Sequence, residues 1–202
     1  MLIYLITDRQ LRPDLPLPLL ISSVARAGAD MIQLREKDLS GADLLECALR
    51  VREESGPRGA ELFVNGRVDV ALAAGAAGVH LPASGLPAAE VRARWGHRLR
   101  IGVSAHNLAE AIGAREEGAD FITFGPVFET ASKVQYGPPV GVERLKEAVA
   151  QAGLPVFAIG GINRSTIARL AGIPLAGVAV ISAVIGAADM GAVVEELRGA
   201  IS

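Results

Sequence analysis

AGADMIQLRE, residues 27–36, carries the pattern that decides the fold. A helical stretch closes on a glycine, the chain turns, and a short apolar run ends in charged residues. Gly28 suits the left-handed position that closes a helix, where other residues meet a steric cost. The same joint recurs as AGAAGV (74–79), EGADFI (117–122) and AGLPVF (152–157). Working outward from these joints, eight candidate strands emerge. They are LIYLITD (2–8), MIQLRE (31–36), ELFVN (61–65), GVHLP (78–82), RIGVSAH (100–106), FITFGPV (121–127), PVFAIGG (155–161) and GVAVIS (177–182). Between them lie stretches of helical period, such as LLECALRVREE (44–54), NLAEAIGAREEG (107–118) and GVERLKEAVAQAG (141–153).

Strict alternation of strand and helix predicts a parallel sheet with right-handed crossovers. An open doubly wound sheet shares that unit, but eight strands is the number at which a parallel sheet closes into a filled barrel. The expected fold class is therefore α/β, a (β/α)8 TIM barrel of the phosphate-binding type, as a single domain over residues 1–202.

Composition agrees. Half of the 202 residues are apolar and only 4% are aromatic, so Ala, Val, Leu and Ile must fill the core, as in buried parallel strands. Mean hydropathy is +0.36. The formal net charge of −2 argues against a nucleic-acid partner, which would need clustered Lys and Arg. No apolar run reaches the ~18 residues of a membrane span, and MLIYLITDRQ lacks the basic leader of an export signal. Cys47 is the sole cysteine, which excludes an internal disulfide and a cysteine zinc site. A cytoplasmic location with no membrane partner is the expectation. Self-association into a homo-oligomer is left open.

Barrels of this kind carry their sites on the loops after the strands. Those ends offer Thr7 and Asp8, then Gln33, Arg35 and Lys37, then Asn65, His80, Ser104, His106, Gly125, Gly160, Gly161 and Ser182. The strand starts offer little that compares. AIGGI (158–162), followed by NRSTI opening a helix, is the sharpest feature. Adjacent glycines let backbone amides approach an anion, and helix N-termini favour negative charge. Gly160 and Gly161, completed by Ile181 and Ser182, are thus a candidate phosphate cradle, although the glycine pair could equally make only a tight turn. Alternation puts Gln33, Arg35 and Lys37 on one side of their strand, where three polar groups call for an anionic or polar ligand. The competing reading is an exposed strand end with Arg35 paired to Glu36 or Asp38. Thr130, Ser132 and Lys133 lie in a Gly/Pro-flanked loop suited to an anion clamp, and nearly as well to plain solvation. His106 could move protons near neutral pH; His80, inside a strand, reads as a hydrogen-bonded core residue. His97 stands at the wrong end.

Together YLITD (4–8), QLREKD (33–38), VNGRVDVAL (64–72), GVHLP, IGVSAH (101–106), FGPVFETASK (124–133), AIGGI and VAVIS (178–182) resemble the thiamine phosphate synthase and TenI superfamily, in order along nearly the whole chain. The resemblance to the synthase branch implies that Gln33, Arg35, Lys37, Asn65, Thr130, Ser132 and Lys133 bind substrate, with Mg²⁺ on a departing diphosphate. That branch carries metal-binding aspartates where this chain has Gly66 and Gly85, and Leu81 to Ala89 contains no carboxylate. Losing ~4 kcal/mol of metal stabilisation would slow the chemistry about a thousandfold.

NGRVDVAL, VHLPASG and VRARWGH instead resemble the TenI branch, whose thiazole tautomerases move a proton to aromatise a thiazole carboxylate phosphate without a metal. Pro126 occupies the place of that branch's proposed catalytic histidine, so His106, Lys37 or Glu129 would have to transfer the proton, with His106 expected first. The leading expectation is thus a TenI-type isomerase with no cofactor and no metal, acting on a small thiazole phosphate. A synthase, the one case requiring Mg²⁺, is the alternative. A non-catalytic barrel binding thiazole or thiamine phosphate is the third reading.

Overall fold

The computed structural model describes residues 1–56, 59–130 and 138–200. Eight parallel strands close in sequence order: β1 Leu2–Ile6, β2 Met31–Leu34, β3 Glu61–Asn65, β4 Gly78–Leu81, β5 Arg100–Ala105, β6 Phe121–Phe124, β7 Val156–Ile159 and β8 Gly177–Val180. β8 returns to β1 with Leu2 opposite Gly177 and Tyr4 opposite Ala179, so no edge is left. The crossover helices are α1 Leu17–Arg26, α2 Gly41–Ser55, α3 Val68–Ala74, α4 Ala88–Trp95, α5 Leu108–Glu116 and α6 Gly141–Gln151; α7 Ser182–Ile185 and α8 Met190–Gly199 follow β8. Among the described residues, no helix is long and apolar enough to cross a membrane. The four glycine joints all have positive φ, from +59° at Gly75 to +85° at Gly118.

The crossover after β7 departs from expectation. NRSTI does not open an α-helix; a 3₁₀ turn over Ile167–Leu170 takes its place. Local side-chain bonds compete with the helix here. Asn163 Oδ1 accepts from the Ser165 amide, while Thr166 Oγ1 accepts from the Asn163 amide and donates to the Gly161 carbonyl. Pro174 follows closely and limits what remains.

Period-2 alternation splits the core in two. Ile3 and Leu5 face the helices with Ile32, Leu34, Leu62 and Val64, whereas Tyr4 and Ile6 face the barrel axis with Met31, Phe63, Phe121, Phe157 and Ala179. Four rings plug the interior: Phe121 meets Phe63 at 5.2 Å and Phe157 at 5.4 Å, all edge-on, and Tyr4 touches all three phenylalanines. Three glycines leave room for them. A Cβ on Gly78 would lie 2.4 Å from Phe63, one on Gly102 2.4 Å from Phe121, and one on Gly177 2.5 Å from Phe157. Large and small residues on neighbouring strands thereby fill a taper that a uniform aliphatic layer would leave void.

At the N-terminal rim the strand starts are clasped by the aspartates of two joints. Asp30 accepts from the Ile3 amide at 2.7 Å and pairs with Arg198; Asp120 accepts from the Ile101 amide at 2.6 Å and pairs with Arg92.

Candidate active site

The C-terminal rim is assembled from the ends of β1 to β8. At the first corner the Thr7 amide donates to the Gln33 carbonyl, and Thr7 Oγ1 accepts from the Arg35 amide, which prolongs the β1–β2 ladder past the strands proper. Arg35 emerges half-buried, its guanidinium 3.8 Å from the Asp8 carboxylate, and Lys37 is exposed. The alternative partners for Arg35 are otherwise engaged. Glu36 points away from the axis with its side chain only 2% exposed and accepts from the Arg9 amide, and Asp38 pairs with Arg9. Burial raises the Glu36 carboxyl above its ordinary range, with the neighbouring Asp8 adding to the rise, against hydrogen bonds from Thr7 and Arg9.

Gln33 does not reach the rim. It sits one layer down, fully inside the barrel, and donates to the Tyr4 hydroxyl at 3.1 Å. Alternation gives its side of the strand correctly; the stagger of the closed barrel sets its depth. Tyr4 in turn lies 3.3 Å from His80 Nδ1, and His80 Nε2 lies 3.0 Å from Ser104 Oγ and 3.4 Å from Thr123 Oγ1. His80 is thus the hydrogen-bonded interior residue expected. Desolvation lowers its pKa to about 3, so the ring is neutral. Burial likewise pushes the Tyr4 phenol far up, against the Gln33 hydrogen bond and Arg100. Ser104 and Asn65 are half-buried on the mouth side of this layer.

His106 is exposed beyond β5, with Nδ1 2.9 Å from Glu110. Glu110 also accepts from the His106 amide and the Asn107 side chain, and Asn107 caps α5, so this cluster builds the helix start.

On the far side of β1, the turn after β7 has Gly160 at φ +98° and Gly161 at φ +65°. A Cβ there would meet Pro126 Cα at 2.5 Å or the Glu129 carbonyl at 2.4 Å. The segment after β6 lies along this turn, the Val127 amide donating to Ile159 and the Phe128 amide to Gly160. Close packing therefore demands both glycines before any ligand is considered. β8 continues through half-buried Ile181 into α7, where the Val184 and Ile185 amides donate to the Ile181 carbonyl and no side chain caps the helix start. Thr130 is half-buried where the described segment after β6 ends; Ser132 and Lys133 lie outside the described residues.

The chain of Tyr4, His80 and Thr123 could not be assembled from sequence alone. Its only signal is a polar residue at an inward position on each of several strands, which becomes a contact when the sheet closes. Among the described residues, no group of three or more His, Cys, Asp or Glu could hold a metal ion.

Known proteins resemble the chain over almost its full length. The family model described as thiamine monophosphate synthase matches residues 3–184. A protein of Geobacter sulfurreducens named putative thiamine-phosphate synthase is 46% identical, covering 93% of this chain and 88% of its own. The thiamine-phosphate synthase of Methanoculleus marisnigri is 43% identical, covering 99% and 95%. Among solved structures, thiamine phosphate pyrophosphorylase from Pyrococcus furiosus superimposes with a TM-score of 0.87 at 36% identity, covering 98% of this chain and 94% of that one.

Proposed function

The chain belongs to the thiamine monophosphate synthase family, and on that premise we propose that it is a transferase that joins a pyrimidine diphosphate to a thiazole phosphate and releases diphosphate. The observation that carries this reading is the near-complete overlap with relatives named thiamine-phosphate synthase at 43–46% identity. That finding overturns the expectation of a TenI-type isomerase. The glycines at 66 and 85 and the VRARWGH segment pointed to the tautomerase branch, but they are a few positions weighed against the whole chain. The proton-transfer roles expected of His106 and Lys37 belonged to that isomerase reading.

In the proposed reaction, Arg35 and Lys37 face the departing diphosphate, where charge-assisted hydrogen bonds stabilise the negative charge that develops. Main-chain amides at Gly160 and Gly161, with those at Ile181 and Ser182, hold the thiazole phosphate. Asn65 and Ser104 line the space between, and Gln33 supports it from below. The ion pair of Arg35 with Asp8 is loose at 3.8 Å, which leaves guanidinium donors for an anion.

Magnesium does not match the donor set. Gly66 has φ +67°, and a Cβ on Gly85 would stand 3.0 Å from Pro82. Asp69 is held by Arg67, and among the described residues Asp8 has no second and third His, Cys, Asp or Glu beside it that could complete a metal site. No step is assigned to a metal. Incubating the purified protein with the two phosphorylated halves, with and without Mg²⁺, should yield thiamine phosphate. Its absence from both tubes would overturn the reading.

A further inference from the structure

We propose that His80 is a positioning residue for this site, turning the Ser104 hydroxyl into a hydrogen-bond donor toward bound substrate through a polarised chain that starts at Gln33. The proposal rests on the reading above in one respect, that Ser104 faces the substrate.

The direction of the chain follows from counting protons. Tyr4 is a neutral phenol and His80 a neutral imidazole, so each has a single proton to donate. The Gln33 amide donates to the Tyr4 oxygen at 3.1 Å. The phenolic proton then goes to the other neighbour, His80 Nδ1, at 3.3 Å. With Nδ1 accepting, the ring proton sits on Nε2 and is donated to Ser104 Oγ at 3.0 Å, the nearer of its two hydroxyl neighbours. The opposite tautomer would aim two N–H groups at the Tyr4 oxygen and leave its proton without an acceptor, an expensive defect in a dry interior. Ser104 thus has an oxygen lone pair occupied from below, and its proton is free for an acceptor in the mouth.

The ring is also held against rotation. It packs against Tyr4 and Phe121, each at 5.8 Å, and its Nδ1 occupies space that any Cβ on Gly102 would invade at 2.6 Å. A leucine at position 80 would fill this layer at lower desolvation cost. What the imidazole adds is a defined direction, and the chain ends at the half-buried hydroxyl on the mouth side.

The test combines one spectroscopic and one kinetic measurement. Ring ¹⁵N shifts should report His80 protonated on Nε2 from pH 5 to 8; protonation on Nδ1 overturns the proposal by itself. In folded variants, His80→Leu should lower kcat/KM for thiamine phosphate formation by roughly ten- to a hundredfold. His80→Gln, whose amide can supply an N–H near the place of Nε2, should recover most of that loss. In a Ser104→Ala background, His80→Leu should add less than about twofold, because residues acting through one another are not additive. Full additivity, or His80→Gln as damaging as His80→Leu with both variants folded, would sink it. If the wild type forms no product, the transferase reading fails separately, and calorimetry with thiamine phosphate and inorganic pyrophosphate reads the same cycle as affinity. Neither probe binding would also count against the relay.

Discussion

The two rims of the barrel use similar residue types to opposite ends. At the N-terminal rim the charges close on the protein itself: Asp30 on the Ile3 amide and Arg198, Asp120 on the Ile101 amide and Arg92, Glu61 on Arg100. Beneath them the four-ring plug is fully buried. At the C-terminal rim Arg35 makes one loose pair, Lys37 is exposed, and Asn65 and Ser104 are half-buried. The first arrangement stabilises the fold. On the proposed reading, the second holds polar groups ready for a ligand, which is where stability is given up for function. Substitutions at the base should therefore change unfolding with little effect on turnover, and substitutions at the mouth the reverse.

The sharpest way to break this contrast lies in the plug. Phe121→Ala should cost about 3–5 kcal/mol in denaturant unfolding, because the ring touches Tyr4, Phe63 and Phe157 and the cavity cannot collapse. A loss under ~1 kcal/mol would show that the rings are not close-packed. Next, Arg35→Ala should lower kcat/KM roughly a hundredfold, or about 2.7 kcal/mol, while the melting temperature moves by less than about 3 °C. A large drop in melting temperature with unaltered kinetics would assign Arg35 to structure instead. At the other rim, Asp120→Ala strands both the Ile101 amide and Arg92. Chemical denaturation should show a loss of about 1–3 kcal/mol, with kcat/KM within about twofold of wild type.

The remaining effect is pH-linked, is spread over several pH units and lies between the rims. His80 is held neutral down to about pH 3 in the folded chain, whereas an unfolded histidine takes up a proton near 6.5. The unfolded state therefore binds the extra proton in that window. The contribution of His80 to stability is complete above about pH 6.5 and falls by up to ~1.4 kcal/mol per pH unit on acidification toward 3. Subtracting the stability–pH curve of His80→Gln from that of the wild type should isolate this slope; superimposable curves would place the titration elsewhere.

The strands were legible to within a few residues because their signals are local. The run expected over 2–8 forms a strand over Leu2–Ile6, and the one expected over 121–127 forms Phe121–Phe124 before the segment after it folds along β7. Position on a face was legible too, as Arg35 and His80 show. Depth was not, and Gln33 is the example: expected at the mouth, it lies in the interior because stagger belongs to the closed sheet. The helix expected from NRSTI failed for a different reason, since its Asn and Thr side chains bond the backbone within the turn. The branch of the family was misread from Gly66 and Gly85, which report a missing donor set at two positions and not the ancestry of the chain.

Period, glycine spacing and the count of eight were enough, without coordinates, to specify a closed parallel barrel and the rim that bears its polar groups, because each depends on neighbours within one strand–helix unit. Which of those groups meet was decided only by closure. Tyr4, Gln33, His80 and Ser104 come from β1, β2, β4 and β5, and Gly160 is required by Pro126 on a different loop. Such contacts depend on the shear of the whole sheet, a property that no single unit encodes.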